Sequence, residues 1–261
     1  MSAEGITKAA TRTNATATAT GQRRRCRGVG AVAGGTVYWE VDMGKGAAGD
    51  HQPATVRSAH HGGPVRAAVI AGHRGDVDAA SKLARHPDAA VRAAALGALH
   101  RVGALDAPTL AEAVTDPDPV VRRRACALAA RSDAGSAAVE VLVAALSSDA
   151  DGSVVEVAAW GLGELGSTCR RPAVEALERV ARGHPDPLCR EAAIAALGAV
   201  GDGHSLDTVL GALEDKLAIR RRAVIALAAF DDPRVDDAWR RCLEDRDWQV
   251  RQAAEDLSGR P

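Results

Sequence analysis

Small apolar residues recur through residues 64–261 with the spacing of a helix rather than that of a strand. In one stretch they stand at positions i, i+3, i+4, i+7 and i+8, namely Val91, Ala94, Ala95, Ala98 and Leu99. The same stripe returns in 189–197 and, with one arginine in it, in 219–227. Turns with Gly or Asp-Pro separate these stretches from further apolar segments such as 136–146. The pattern predicts a first helix, a turn and a second helix, repeated about six times.

A seven-residue motif marks the start of each predicted second helix. Its last positions are separated by 30, 33, 35, 30 and 31 residues, and a regular interval of this size is typical of solenoids. An earlier segment, 64–66, is expected to supply a degenerate first helix. We number units 1 to 6 by the motifs, which read HPDAAVR at 86–92, DPDPVVR at 116–122, DADGSVV at 149–155, HPDPLCR at 184–190, EDKLAIR at 214–220 and DRDWQVR at 245–251.

In four units an aspartate stands four residues before an arginine. The aspartate is placed to cap the second helix, and the arginine one turn later to bond to it or to the neighbouring unit. Val155 in unit 3 and Lys216 in unit 5 depart from this pattern, so we expect weaker coupling there. Repeated once per unit, the pairs predict a structural ladder of Asp88 and Arg92, Asp118 and Arg122, Asp186 and Arg190, and Asp247 and Arg251.

Residues 1–63 have no such periodicity. They contain a Thr/Ala run, a cluster of arginines and a Gly-rich stretch, with 8 basic against 4 acidic side chains. Such a segment buries too little apolar surface to offset its chain entropy, so we predict a disordered, low-complexity basic segment before a solenoid at 64–261. It is interpreted as a flexible basic arm, a targeting peptide or upstream sequence included by a misplaced start codon, and the last is favoured.

Composition narrows the function. Residues 64–261 carry 25 basic against 30 acidic side chains, which disfavours general binding to a phosphate backbone. The five cysteines are odd in number, widely spaced and without a C-x-x-C pair, which predicts reduced, buried thiols in a cytoplasmic protein. No apolar run approaches the ~20 residues that span a bilayer, so no membrane contact is expected.

The motif resembles a known repeat. The opening D-x-x-x-V-R, followed by Ala-Ala and by A-L-G at Ala196, Leu197 and Gly198, is similar to HEAT-like repeats of the phycobilisome-lyase type. The resemblance covers residue 64 to about residue 258. It implies an all-α, right-handed α-solenoid of about six HEAT-like helical hairpins, preceded by the disordered segment. It also implies that the second helices line a concave side, which is usually a protein-binding surface.

Three other activities occur on this architecture, and each makes a demand on the sequence. Deoxyhypusine hydroxylases hold iron with His-Glu pairs, but none of the eight histidines here precedes a glutamate. Bilin lyases bind a tetrapyrrole, for which an aromatic content of 2% leaves little lining. HEAT-like DNA glycosylases read DNA with a basic face, whereas this array is acidic. A hydroxylase-like or lyase-like enzyme and a nucleic-acid-binding protein remain alternatives, and we expect no catalytic residue, cofactor or metal.

What remains is the surface of the second helices. Trp and Arg are the residues most enriched at binding hot spots, which favours a non-catalytic scaffold that binds a protein partner. Trp160 could instead fill the groove between units. Trp239 and Trp248 are expected to close the exposed end of the core, because a terminal unit needs a cap. The predicted partner-binding residues are Arg123, Arg124, Glu156, Trp160, Arg221 and Arg222.

Overall fold

The computed structural model describes residues 62–132, 135–169 and 171–259, and these ranges form 13 α-helices and no strands. The predicted all-α solenoid is therefore confirmed. The predicted disordered segment 1–63 lies outside the described ranges except for Gly62 and Gly63, which begin the N-terminal helix of the described structure. None of the helices described is long and apolar enough to cross a membrane.

First and second helices alternate along the chain. The first helices are α2 (Val77–Leu83), α4 (Ala107–Ala113), α6 (Ser136–Ser148), α8 (Arg171–Gly183), α10 (Leu206–Gly211) and α12 (Pro233–Cys242). The second helices are α3 (Ala89–Arg101), α5 (Pro119–Ala129), α7 (Gly152–Leu165), α9 (Pro187–Val200), α11 (Leu217–Ala226) and α13 (Trp248–Ser258). Each second helix contacts the next one. The opening helix, α1 (Gly62–Arg74), packs on α3 as a second helix would, so the expectation of a degenerate first helix there is wrong.

Aspartates begin most of the second helices. Asp88 accepts a hydrogen bond from the backbone N–H of Ala90 at 2.8 Å, and this satisfies one of the N–H groups that a first helical turn leaves free. α11 follows Lys216 and has no side-chain cap. The motif aspartate thus sets where the other five helices start. Asp118, Asp151, Asp186 and Asp247 cap α5, α7, α9 and α13 in the same way.

The buried stripe follows the predicted spacing with one difference. In α3, Val91, Ala95, Ala98 and Leu99 are buried as predicted, whereas Ala94 is only half-buried. Leu96 is buried in addition. The buried stripe of α3 is wider than predicted because a second helix packs against its own first helix and against both neighbouring second helices.

Second helices approach most closely where a glycine faces an alanine. A Cβ atom added to Gly198 in α9 would lie 2.8 Å from the Cα atom of Ala226 in α11, closer than two carbon atoms can pack. The glycine of the A-L-G sequence is therefore required by the approach of two backbones. The same contact joins Gly72 to Ala98, and a slightly looser one, with 3.2 Å from the added Cβ to the Cα atom of Ala196, joins Gly163 to Ala196.

We expect Gly198→Ala to lower the free energy of unfolding by about 1–3 kcal/mol, because the new methyl group meets backbone atoms that cannot move aside cheaply. Denaturant unfolding followed by circular dichroism measures this. Gly211→Ala is the matched control, since nothing lies within 4 Å of a Cβ atom added there. It should be neutral or stabilising by up to about 1 kcal/mol. Equal losses in the two variants would contradict the prediction.

In units 1, 2, 4 and 5 the arginine at the end of the motif ties one unit to the next. Nε and Nη2 of Arg92 donate to the two carboxylate oxygens of Asp116, which opens the unit 2 motif, both at 2.8 Å. Nη1 donates to the carbonyl oxygen of His86 in the same unit as Arg92. The motif arginine thus bridges units, while the aspartate four residues before it caps the helix. The same fork joins Arg122 to Asp149, Arg190 to Asp215, and Arg220 to Asp245.

Between units 3 and 4 the described residues form no such rung. Val155 takes the arginine position and is buried, and the unit 4 motif opens with His184 in the acidic position. Nδ1 of His184 accepts a hydrogen bond from the backbone N–H of Asp186 at 3.1 Å. Across this junction the thiol of Cys189 donates to the carbonyl oxygen of Gly152 at 3.3 Å. A neutral contact therefore replaces the ion pair where both of its charges are absent.

Unit 5 keeps its rungs in spite of Lys216. The neighbouring residue, Asp215, accepts the fork of Arg190, and Arg220 binds Asp245 at 3.0 and 3.1 Å. The expectation that the ladder weakens here is wrong as far as these ion pairs are concerned, because Lys216 replaces the capping residue of α11, whereas the rungs use Asp215 and Arg220.

The ladder lowers the pKa of its carboxyl groups. Hydrogen bonds from the Arg122 guanidinium hold the pKa of Asp149 below its ordinary value, and those from Arg190 do the same for Asp215. Because the folded-state pKa lies below the unfolded one, this stabilisation is complete above about pH 5 and is lost as the pH falls through the folded-state pKa. The ladder should therefore fail in acid.

We expect Asp149→Asn to lower the free energy of unfolding at neutral pH by about 1–3 kcal/mol and to flatten its decline in acid. Asparagine can still accept the backbone hydrogen bond that Asp149 receives from Asp151, so the loss reports on the ion pair. Urea unfolding at a series of pH values measures both effects. Glu175→Gln, in the exposed pair with Arg171, should change neither. An acid decline as steep in Asp149→Asn as in the unsubstituted protein would refute this.

The C-terminal end of the stack is closed by one of the two predicted tryptophans. Trp239 is half-buried, and its Nε1 donates to the carbonyl oxygen of Val224 at 3.1 Å. Trp248 is 63% exposed, so the expectation that it closes the core is wrong. Val250 holds the buried side of α13, and a residue two positions earlier points away from that side.

Candidate partner-binding face

The exposed side of each second helix lies opposite its buried stripe. Side chains one, five and nine residues after the ladder position share this side, because each follows the last by about one turn. On α7 these positions hold Glu156, Trp160 and Glu164. On α5 and just after it, Arg123 and Arg131 hold the first and last. We call the row of such positions from α3 to α13, with the residues that flank them, the second-helix face.

The α5 part of this face is basic. Arg123 and Arg131 are exposed, as is Arg101 at the end of α3. Arg124 is also exposed, and its guanidinium lies over Gly97 of α3, where an added Cβ atom would overlap Nη2. Within the described ranges, none of these four arginines has an ion pair.

The surroundings of Arg124 disfavour its charged form. Desolvation of its guanidinium, followed by repulsion from Arg131, lowers the pKa of Arg124 from its ordinary value. An arginine nevertheless remains protonated at neutral pH. A carboxylate placed on this group would therefore offset both costs.

Trp160 lies next to these arginines. It is half-buried, and the guanidinium carbon of Arg131 stands 5.5 Å from its ring centroid, within range of a cation–π contact. Glu156 and Glu164 are exposed one turn before and one turn after it on α7. The face thus changes from basic on α5 to acidic on α7, with an aromatic ring at the boundary.

The α11 part of the face is bonded within the array. Nη2 of Arg222 binds Glu191 of α9 at 3.3 Å, and Nη1 of Arg221 is 3.5 Å from the side-chain oxygen of Gln249 in α13. Nε of Arg222 is buried and has no hydrogen-bond partner among the residues described. Arg221 and Arg222, both predicted to bind a partner, are thus engaged by neighbouring units.

Neighbouring residues explain why Arg123 differs from Arg221. The position that holds Gln249 in unit 6 is Ser153 in unit 3, and its hydroxyl already donates to Asp151 at 2.6 Å. Arg123 is therefore left without the amide that its counterpart reaches.

The six predicted residues consequently form two groups. Arg123 and Arg124 lie on the helix next to the one that carries Glu156 and Trp160. α7 and α9 separate them from the α11 pair, a distance of roughly 25–30 Å at the usual spacing of packed helices. Sequence analysis missed three residues of the face, and a fixed offset from the ladder position could have found them: Arg101, Arg131 and Glu164.

A second cluster of arginines lies on the first helices. A groove of about 610 Å³ at α10 and α12 is lined by Arg234, Arg240 and Arg241 together with acidic residues. Arg234 binds Asp207 and Asp232, and Arg240 binds Asp237. The charge of this groove is thus largely neutralised by its own carboxylates.

Four thiols are buried in the core. Cys126, Cys169, Cys189 and Cys242 are free, in agreement with the prediction, while Cys26 lies outside the described residues. Burial raises the pKa of Cys126 to about 12 and that of Cys189 to about 11, so neither is a thiolate at neutral pH. The described part of the chain contains no group of three or more His, Cys, Asp or Glu residues that could hold a metal ion.

Solved structures share this fold. YibA of E. coli superposes with a TM-score of 0.52 at 19% identity, over 68% of this chain and 67% of that one. An engineered protein gives 0.51 at 24% identity, over 70% and 97% of the two chains. The complex of CpcE and CpcF of phycocyanin lyase from Nostoc sp. gives 0.51 at 22% identity, over 68% and 74%. Identities this low show the fold alone.

Sequence comparison gives the family. No curated protein sequence matches the chain. The model of HEAT repeats matches residues 107–198, 139–217 and 174–258, which together span more than half of the chain. The protein therefore belongs to the HEAT-repeat family.

Proposed function

We propose that this HEAT-repeat protein is a non-catalytic interaction scaffold that binds a protein partner on its second-helix face. The observation that supports it is the basic group on α5 beside the half-buried Trp160, whose arginines have no ion pair in the described structure. Arg and Trp contribute most of the energy at many interfaces, because they combine a large contact area with directed polar groups. The buried, widely spaced cysteines support a cytoplasmic location.

The internal use of charge also supports a binding role for these arginines. An aspartate of the next unit binds each of four ladder arginines, Arg92, Arg122, Arg190 and Arg220. Arg222 binds Glu191. Arg123 and Arg131 serve neither purpose. Long exposed cations whose charge no carboxylate of the array compensates are suited to an external acceptor.

The test is a pull-down with the tagged full-length protein and quantitative mass spectrometry. We expect a partner that is recovered by the unsubstituted protein and falls at least about tenfold with Arg123→Glu/Arg124→Glu, since charge reversal at a binding site both removes attraction and adds repulsion. Arg240→Glu/Arg241→Glu, the same charge change on α12, is the matched control and should retain that partner.

Two results would count against the scaffold. One is that no protein depends on the α5 arginines more than on those of α12. The other is stoichiometric iron or a bound pigment in the purified protein, which would favour the hydroxylase-like or lyase-like alternative.

A further inference from the structure

The second-helix face has a defined order of charge. Its first block consists of four arginines on α3, on α5 and just after α5. Its second block, on α7, holds Glu156 and Glu164, which have no ion pair among the described residues. Trp160 lies between the two carboxylates along α7 and contacts Arg131 of the first block. A ligand that crosses from α5 to α7 therefore meets cations first and then, on α7, an aromatic ring flanked by two carboxylates.

We propose that this face binds an extended protein segment in which a block of Asp or Glu is followed by Lys or Arg. The inference rests on the proposed scaffold function and names the class of its partner. The acidic block lies on Arg123, Arg124 and Arg131, and the basic side chains reach Glu156 and Glu164.

Geometry sets the spacing within the ligand. Packed helices lie about 8–10 Å apart, and an extended chain advances about 3.3 Å per residue. About three residues therefore separate the acidic block from the first basic residue. The face has no edge strand to pair with, so side-chain charges rather than backbone hydrogen bonds provide recognition.

Guanidinium groups suit carboxylates at this position. Each arginine offers a planar fork that a carboxylate accepts through two parallel hydrogen bonds, as Asp116 does with Arg92. Arg124, whose charge is disfavoured by desolvation and by Arg131, gains most from such a contact. A carboxylate is therefore bound where the protein itself leaves positive charge uncompensated.

A nucleic acid fits this face less well. Its phosphates repeat along the whole strand, so a strand that began on α5 would continue over Glu156 and Glu164 and be repelled there. The array as a whole carries 25 basic against 30 acidic side chains in residues 64–261. The change of sign within one helix spacing favours a ligand whose own charge changes sign.

The test uses the full-length protein and fluorescent peptides in an anisotropy titration. One peptide has an acidic block, about three neutral residues and a lysine block, and the other has the same composition with alternating charges. A thymidine oligonucleotide is the third probe. We expect the block peptide to bind at least about tenfold more tightly than the alternating one, and to weaken as salt is raised.

Variants locate the binding. Arg123→Glu/Arg124→Glu should weaken the block peptide about tenfold or more, whereas Arg240→Glu/Arg241→Glu should leave its affinity unchanged. A further peptide, acidic along its whole length, should bind the unsubstituted protein less tightly than the block peptide does, and Glu156→Gln/Glu164→Gln should abolish that difference. All these substitutions are of exposed residues, and unchanged circular dichroism and melting verify the fold.

Several outcomes overturn the proposal. These are no binding of the block peptide at low salt, equal binding by the α5 and α12 variants, and oligonucleotide binding that is as tight and depends on the same arginines. If the pull-down partner depends on Arg123 and Arg124 while the block peptide does not bind, the scaffold function stands and the ligand class is wrong. If no partner depends on them either, both proposals fall.

Discussion

Direct contact between consecutive second helices is the constraint on which the rest of this structure depends. Where Gly198 faces Ala226 there is no room for a further carbon atom, so the contact positions must carry small side chains. This accounts for a chain rich in alanine with an aromatic content of 2%, because bulky residues would hold the helices apart. It also keeps long polar side chains out of the contacts between second helices. The places where the protein can do chemistry or bind follow from its packing.

Contacts between small residues do little to fix how one unit is positioned on the next. The arginine forks fix that position. Arg92 binds Asp116 through two parallel hydrogen bonds and its own unit through a third nitrogen, which fixes the position of one unit on the next. Half-buried ion pairs recover in attraction only part of what they lose in hydration, so their effect on register exceeds their effect on stability. Where Val155 replaces the arginine, His184 replaces the acidic residue. Because both residues of the rung are replaced, neither charge is left there without the other.

The local part of this fold could be predicted from sequence, whereas the contacts between units could not. The start of a helix depends on the capping residue and the few residues after it. The motif was therefore sufficient to identify Asp88 as the residue that caps α3. The partner of Arg92 lies 24 residues later in the chain. The sequence does not show which residue of the next unit the stacking places opposite Arg92. The position of Trp248 depends on which side of α13 faces the core. Arg131 was missed because it lies just beyond the end of α5, outside the helical stripe that drew attention to its neighbours.

The two arginine triplets show how much of a binding surface is decided by neighbours. Their third members, Arg124 and Arg222, occupy equivalent positions and both point towards the preceding second helix. There Arg222 meets Glu191 and is neutralised. In the equivalent place of unit 1 the residue is Ala93, which offers no acceptor, and the guanidinium of Arg124 lies over Gly97 instead. The same Arg-Arg-Arg sequence therefore provides a structural contact in one unit and an uncompensated charge in another. A search for functional arginines in repeat proteins should ask first what the adjacent unit provides, because only the cations left over by the stacking can attract a partner.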